Sequence, residues 1–200
     1  MSDMHDLLHG MAIKKHADAA ALADLIGQSE AALAPLLERA VTTGRAAEAQ
    51  GKYLLTPAGH MILEGQYGVR CAALRDDPAF VAAYDRFELI NTELKQAITD
   101  WQLVDIGGQS MANDHSDSDY DEKILDRLAQ IHERLEPILR TFAASAPRFA
   151  RYGEKLERAL DQAEDGDHAW VSDATIESYH TVWFEMHEDL LRLLARVRDE

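Results

Sequence analysis

The stretch at residues 17–59 reads ADAAALADLIGQSEAALAPLLERAVTTGRAAEAQGKYLLTPAG, and the other predicted elements are arranged around it. Its first part has apolar residues at helical spacing as far as Ile26, and Gly27 follows where a helix would end. Ser29 is a typical N-cap for a second helix, which Gly44 would terminate. The stretch therefore predicts two helices joined by a tight turn.

The remainder of this stretch predicts a β-hairpin followed by another helix. Two short segments, residues 45–50 and 52–55, flank Gly51 as two strands flank the tip of a hairpin. Thr56 suits a helix N-cap, and Pro57 suits the first helical turn, where its missing N–H removes no hydrogen bond.

The run GKYLLTPAG, residues 51–59, resembles the wing and following helix of bacterial winged-helix regulators of the MarR type. In that family the second helix of the pair enters the DNA major groove, and the wing contacts the backbone or minor groove. The resemblance covers about the first third of the chain. It implies that residues 29–41 form the reading helix, that residues 50–52 form the wing tip, and that double-stranded DNA is the partner. The implied DNA-binding residues are Gln28, Ser29, Arg39, Arg45 and Lys52.

The same surface supports a second interpretation, in which the winged helix does not bind DNA. Glu30 and Glu38 fall at outward positions of the reading helix, where carboxylates oppose phosphate. The wing carries Gln50 and Lys52 where the family usually has an arginine. Because a fold does not fix a function, the chain could instead be an accessory subunit or docking module of an enzyme assembly.

The composition sets the limits for the whole chain. It has 200 residues, of which 46% are hydrophobic and 28% charged, enough for two small domains. No apolar run approaches the roughly 18 residues that a membrane span needs, and the first residues lack the pattern of a signal peptide. We therefore expect no membrane contact and a cytoplasmic protein, and the family resemblance implies a bacterial one. The single cysteine, Cys71, excludes an intramolecular disulfide.

The negative charge is concentrated in the second part of the chain. The formal net charge is −16, of which residues 1–75 contribute −1 and residues 76–200 contribute −15. A nearly neutral N-terminal domain can still present a local basic face, whereas an acidic helical surface needs no partner to explain it.

The breaker Arg75-Asp76-Asp77-Pro78 predicts a domain boundary. We expect a mainly α protein with a winged helix-turn-helix domain in residues 1–75 and a roughly antiparallel four-helix bundle in residues 76–200, since four segments there repeat apolar residues in steps of three and four. The last of these seams, residues 176–197, is long enough to pack across a two-fold axis, and it predicts a homodimer.

Residues 105–117 are predicted to form one long loop between bundle helices, and such loops are often functional. Asp117, Asp119 and Asp121 imitate the start of a calcium-binding EF-hand, but Glu122 and Leu128 replace the glycine and glutamate that the motif needs. We interpret these acids as favourable charges at a helix N-terminus, with Ser116 or Ser118 as its cap.

The histidines of the bundle are first interpreted as core or edge residues hydrogen-bonded to Asn91, Asp100 or the loop. The next interpretation is a pocket for a small-molecule effector, lined by polar and aromatic residues, and the last is a metal site. His180 and His187 are separated by roughly 10 Å along one helix, too far for one metal ion without another helix, so we expect no metal and no cofactor. The candidate ligand-binding residues are Asn91, Trp101, His115, Tyr179, His180, Trp183 and His187.

No sequence pattern indicates catalysis. The chain has no nucleophile motif with a Ser/His/Asp arrangement, and Gly107-Gly108 lacks the lysine and helix pattern of a phosphate-binding loop. We therefore do not expect an enzyme. Double-stranded DNA, a second copy, an effector and a protein remain the candidate partners.

Overall fold

The computed structural model describes residues 3–197, and at Ile106 it describes the backbone alone. The chain is mainly helical, as predicted. It divides into two compact units, of which unit 1 contains residues up to Asp77 and those from His187 onward, and unit 2 contains Pro78–Met186. None of the helices in the described part of the chain is long and apolar enough to cross a membrane.

Unit 1 begins with three helices, a hairpin and two further helices. Their bounds are α1 Met4–Lys14, α2 Ala19–Ile26, α3 Glu30–Thr42, β1 Ala46–Ala49, β2 Lys52–Leu55, α4 Pro57–Arg70 and α5 Ala72–Arg75.

The ends of these elements lie where the local sequence places them. Asp18 and Ser29 cap α2 and α3, and Gly27 ends α2 in the left-handed conformation at φ 77°. The Thr56 side chain accepts a hydrogen bond from the Gly59 N–H and caps α4, with Pro57 in the first turn. These caps confirm the predicted positions of Ser29 and Thr56.

The β1–β2 hairpin is antiparallel, with Ala46 opposite Leu55 and Ala49 opposite Lys52. Gln50 and Gly51 form its two-residue turn at φ 54° and φ 75°, the conformation that matches the twist of the strands.

The core of unit 1 combines residues from both ends of the chain. Leu7, Leu22, Leu33 and Leu63 are fully buried, and Leu190 is buried with them in the same unit. Such side chains stabilise the folded state by about 1.5–3 kcal/mol each when fully buried.

Unit 2 contains three long helices, a second hairpin and a short helix. Their bounds are α6 Pro78–Gln102, β3 Leu103–Ile106, β4 Gln109–Ala112, α7 Ser118–Ser145, α8 Phe149–Glu164 and α9 Ala169–Ser172. The last helix, α10, is Tyr179–Leu194; its residues through Met186 belong to unit 2 and those from His187 belong to unit 1.

Aromatic side chains form the centre of unit 2. The rings of Phe80 and Phe142 lie 4.9 Å apart between centroids, and Phe87 stacks on Trp183 at 5.1 Å. Phe149 packs against Phe142 at 5.4 Å, which joins α6, α7, α8 and the first half of α10 in one core.

The prediction of one long loop over residues 105–117 is wrong in its first half, because the structure has the β3–β4 hairpin there. Gly107 and Gly108 form its two-residue turn at φ 63° and φ 82°, a conformation that glycine adopts without strain. The cap of α7 also differs from the prediction. The Asp117 carboxylate accepts a hydrogen bond from the Tyr120 N–H, so Asp117 is the N-cap and neither Ser116 nor Ser118 has that role.

The seam predicted over residues 176–197 is helical only within α10. Tyr179, Trp183 and Met186 are buried in unit 2, and Leu193 is buried in unit 1, all within a single chain. These residues of α10 are therefore already buried within one chain and do not support the homodimer, which stays a prediction.

Candidate functional site

The first candidate site is a groove of about 570 Å³ between α3 and the β1–β2 hairpin, here called the α3 groove. Small and apolar side chains form its floor, and three glutamates lie among its lining residues. The lining residues are Ala19, Glu30, Ala31, Ala34, Leu37, Glu38, Val41, Thr42, Glu48 and Tyr53.

Short-range contacts hold the hairpin to the segments beside it, namely the residue before α2, the turn after α3 and the start of α4. The Thr56 hydroxyl donates to the Gly44 carbonyl at 2.6 Å, and Tyr53 exchanges two backbone hydrogen bonds with Ala17 at 2.7 and 3.2 Å. Gly59 of α4 packs so closely on the Arg45 carbonyl oxygen that a Cβ there would lie 1.9 Å from it. The walls of the α3 groove therefore belong to one packed unit.

The charges that line the α3 groove are negative. Glu30, Glu38 and Glu48 are exposed, and no lysine or arginine is among the groove's lining residues in the described chain. The Glu48 carboxylate accepts a hydrogen bond from the Gly51 N–H at 3.0 Å, which ties it to the hairpin turn. This surface favours a cationic ligand over a polyanion.

The predicted DNA-binding residues lie around the α3 groove and do not line it. Gln28, Arg39 and Lys52 are exposed, and Arg45 is half-buried. The Ser29 hydroxyl is committed to its capping role, since it accepts from the Ala32 N–H at 3.3 Å.

The second candidate site lies in unit 2, around the buried side chain of Trp101. The His115 ring is 4.5 Å and the His168 ring 5.2 Å from the Trp101 ring, measured between centroids. His115 Nδ1 also lies 2.9 Å from Asp121 Oδ2. Each of His115, Asp121 and His168 has a ligand atom within 4.8 Å of the others. We call these three residues the His–Asp–His cluster.

Asn113 holds the cluster in place. Its Nδ2 donates to Asp121 Oδ1 at 2.9 Å and to the Trp101 carbonyl at 3.1 Å, while its Oδ1 accepts from the His115 N–H at 3.0 Å. His115 has φ 58°, an uncommon conformation for a residue other than glycine. The hairpin and the first turn of α7 thus set the directions of the imidazole and the carboxylate.

The structure separates the predicted ligand-binding residues into different surroundings. It brings Trp101 and His115 together in the cluster region. Asn91 Oδ1 instead accepts a hydrogen bond from Trp183 Nε1 at 2.9 Å, in the core of unit 2.

The remaining predicted ligand residues lie on α10. Tyr179 is fully buried, its hydroxyl lies 3.2 Å from His132 Nδ1, and burial raises the pKa of its phenol. His180 is half-buried, and that burial lowers the pKa of its imidazole. His187 is buried in unit 1 and the others belong to unit 2. The effector pocket stays a prediction.

Sequence reasoning does not identify His168 or Asp121 as site residues. The sequence pattern marks Asp121 only as a charge at a helix N-terminus, and His168 lies on another connection, just before α9. The Gly107-Gly108 pair is the one feature of the sequence that could have indicated this site. Two adjacent glycines are typical of a two-residue hairpin turn, and this hairpin brings the chain back so that His115 lies near the end of α6.

No protein-family model, curated protein or solved structure matches the chain.

Proposed function

We propose that unit 1 is a winged helix, with α3 as the second helix of the pair and β1–β2 as the wing. The order of elements and the packing of the hairpin against α3 and α4 support this assignment. We likewise propose that α6, α7, α8 and the first half of α10 form a four-helix bundle, because their aromatic side chains share one core.

We infer that the α3 groove binds a basic, partly apolar segment of a partner protein, which makes the chain an accessory subunit or docking module. The observation that carries this inference is the arrangement of three exposed glutamates along a groove that no lysine or arginine lines.

Two properties of the α3 groove match such a segment. Ala31, Ala34 and Val41 offer apolar surface in the groove, which rewards burial of apolar side chains from an amphipathic segment. The glutamates match the cationic side chains of such a segment and raise its rate of association. The same carboxylates would repel the phosphates of a DNA duplex placed in the groove.

A DNA-binding transcriptional regulator is the second candidate, and one observation favours it. Among residues 3–197, the ion pairs found involve none of Arg39, Arg45 and Lys52, which leaves these cations available to phosphate. A regulator of this kind would act as a homodimer on paired half-sites. Replacement of any one phosphate-binding cation by alanine would then lower the slope of log affinity against log salt by roughly 0.9.

The variant Ala34→Arg gives the two candidates opposite outcomes. It adds a cation to the exposed face of α3 at a position that tolerates a long helix-forming side chain. Binding of a labelled helical peptide of about 18 leucine and lysine residues should weaken at least tenfold, because the new cation fills the groove and repels the peptide. Fluorescence anisotropy measures this change.

The matched control is Glu133→Lys, which changes an exposed acid of unit 2 by a larger charge difference. It should leave the peptide affinity within about twofold, since it is remote from the groove in the sequence and belongs to the other unit. A peptide that binds both variants alike would contradict the docking proposal. Labelled DNA from the gene's own upstream region that binds at low salt, and binds Ala34→Arg more tightly, would establish the regulator instead.

A further inference from the structure

We propose that the His–Asp–His cluster binds one divalent transition-metal ion, for which Zn²⁺ is the best match. The three ligand atoms already converge to within 4.8 Å of one another, although the residues come from the chain after β4, the first turn of α7 and the chain before α9.

The donor set is typical of zinc. Two imidazole nitrogens and one carboxylate oxygen are ligands that Zn²⁺ accepts at about 2.0–2.2 Å, in sites that keep a fourth position for water or a substrate. Calcium and magnesium prefer oxygen ligands, and this cluster offers a single carboxylate.

The distances between the three ligand atoms are close to those of a tetrahedral site, so metal binding requires only small shifts of the side chains. Tetrahedral ligands at about 2.05 Å from a metal lie about 3.3 Å from one another. The His115 Nδ1 to Asp121 Oδ2 distance is 2.9 Å, so this pair would open slightly to admit an ion. The remaining pairs, all within 4.8 Å, would close by at most about 1.5 Å.

Hydrogen bonds from Asn113 already orient two of the three proposed ligands, His115 and Asp121. Asn113 donates to Asp121 Oδ1, which leaves Oδ2 directed at His115, and it also accepts from the His115 N–H. Outer hydrogen bonds of this kind fix the direction of a metal-binding carboxylate and strengthen binding.

Trp101 forms an apolar floor beneath both imidazoles. It is 2% exposed, its ring lies 4.5 Å from His115 and 5.2 Å from His168, and the two imidazoles are 5.6 Å apart. His168 is exposed, so an ion can enter from solvent and the imidazole can move to meet it. A simple His115–Asp121 ion pair would need neither His168 nor the convergence of all three groups.

The test is titration calorimetry with Zn²⁺ on the full chain, after removal of any purification tag and treatment with a chelator. We expect one ion per chain at micromolar affinity or tighter. His168→Ala should weaken binding at least about tenfold, because it removes one of three protein ligands. Since His168 is exposed, this variant should keep the circular dichroism spectrum of the parent.

The matched control is His60→Ala, which removes an exposed histidine of unit 1 and should leave affinity and stoichiometry unchanged. Cobalt(II) supplies a second readout, since its visible absorption reports tetrahedral coordination and should disappear in His168→Ala. The proposal is overturned by a parent chain that binds no Zn²⁺ at micromolar concentration, or by equal affinity in the parent and His168→Ala.

Discussion

His9 Nε2 lies 2.9 Å from Asp189 Oδ1, and both side chains are buried in unit 1 although 180 residues separate them along the chain. His9 Nδ1 is 2.7 Å from the Tyr67 hydroxyl, which continues the network from α1 to α4. Burial raises the pKa of the Tyr67 phenol, so Tyr67 keeps its proton as a hydrogen-bond donor. This network gives a buried carboxylate the partners that its desolvation demands.

Replacement of His9 tests the energetic role of this network. His9→Ala should lower the free energy of unfolding by about 3 kcal/mol, because it leaves the Asp189 carboxylate buried without this partner. Urea unfolding followed by circular dichroism measures the loss. His60→Ala, at an exposed position, should change the value by less than about 0.5 kcal/mol, and equal effects of the two changes would contradict this explanation.

Two glycines of α4 should respond to alanine in opposite directions. Gly59→Ala should destabilise the chain by about 3 kcal/mol, since the new Cβ would lie 1.9 Å from the Arg45 carbonyl oxygen. Gly65→Ala meets no atom within 4 Å and should stabilise by about 0.5–1 kcal/mol through helix propensity. The thermal unfolding midpoints of both variants, compared with that of the parent, measure these two effects. A Gly59→Ala protein as stable as the parent would show that α4 packs less closely on Arg45.

Because Trp183 Nε1 donates a buried hydrogen bond to Asn91 Oδ1, we expect substitutions of these two residues of unit 2 to have non-additive effects on stability. Trp183→Phe should cost about 1–3 kcal/mol beyond its loss of packing, because the amide oxygen of Asn91 is left buried without its donor. Adding Asn91→Leu should recover part of that cost. A double-mutant cycle from urea unfolding measures the coupling, and strictly additive effects would show that the bond contributes little.

The burial of His132 leads us to expect a loss of folding stability in mild acid. Burial lowers the pKa of its imidazole from the ordinary value of 6.5, against the opposing influence of Glu136 and other acids. The unfolded chain then binds a proton at a higher pH than the folded chain does. The contribution of His132 is therefore present above pH 6.5 and is lost as the pH falls from there toward the folded-state pKa.

The measurement compares urea midpoints at about pH 7.5 and about pH 5.5 for the parent and His132→Gln. The parent should lose more stability over this interval, because glutamine has no proton to bind. An equal loss in both proteins would assign the acid sensitivity to other groups.

Local chemistry explains why much of unit 1 could be predicted from sequence. Gly27, Ser29 and Thr56 end or begin helices through contacts with their immediate neighbours, so a short window contains the necessary information. The start of α8 was not predictable in this way. Ser145 suits a cap and Pro147 a first turn, but Ser145 ends α7 and α8 begins at Phe149 without a side-chain cap. Phe149, the first residue of α8, is buried and packs against Phe142 at 5.4 Å between ring centroids, a contact that a short sequence window does not contain.

The two candidate sites differ in how far sequence alone could define them. The acids of the α3 groove were predicted at Glu30 and Glu38, because both lie on one helix whose buried side is clear from its pattern. Sequence alone indicates His115 but does not assemble the His–Asp–His cluster, because His115 and His168 lie on different connections and Asp121 lies in the first turn of α7, and only tertiary packing brings them together. The spacing along α10 indicates His180 and His187, and neither residue belongs to the cluster.

The division of α10 between the two units has a consequence for synthesis on the ribosome. Unit 2 is a continuous segment, Pro78–Met186, and can complete its core as soon as that segment has emerged. The core of unit 1 includes Leu190, and the Asp189 carboxylate contacts His9, so we expect unit 1 to complete its core only after these late residues have emerged. We therefore expect the usual order, in which the unit made first also completes its fold first during translation, to be reversed for these two units.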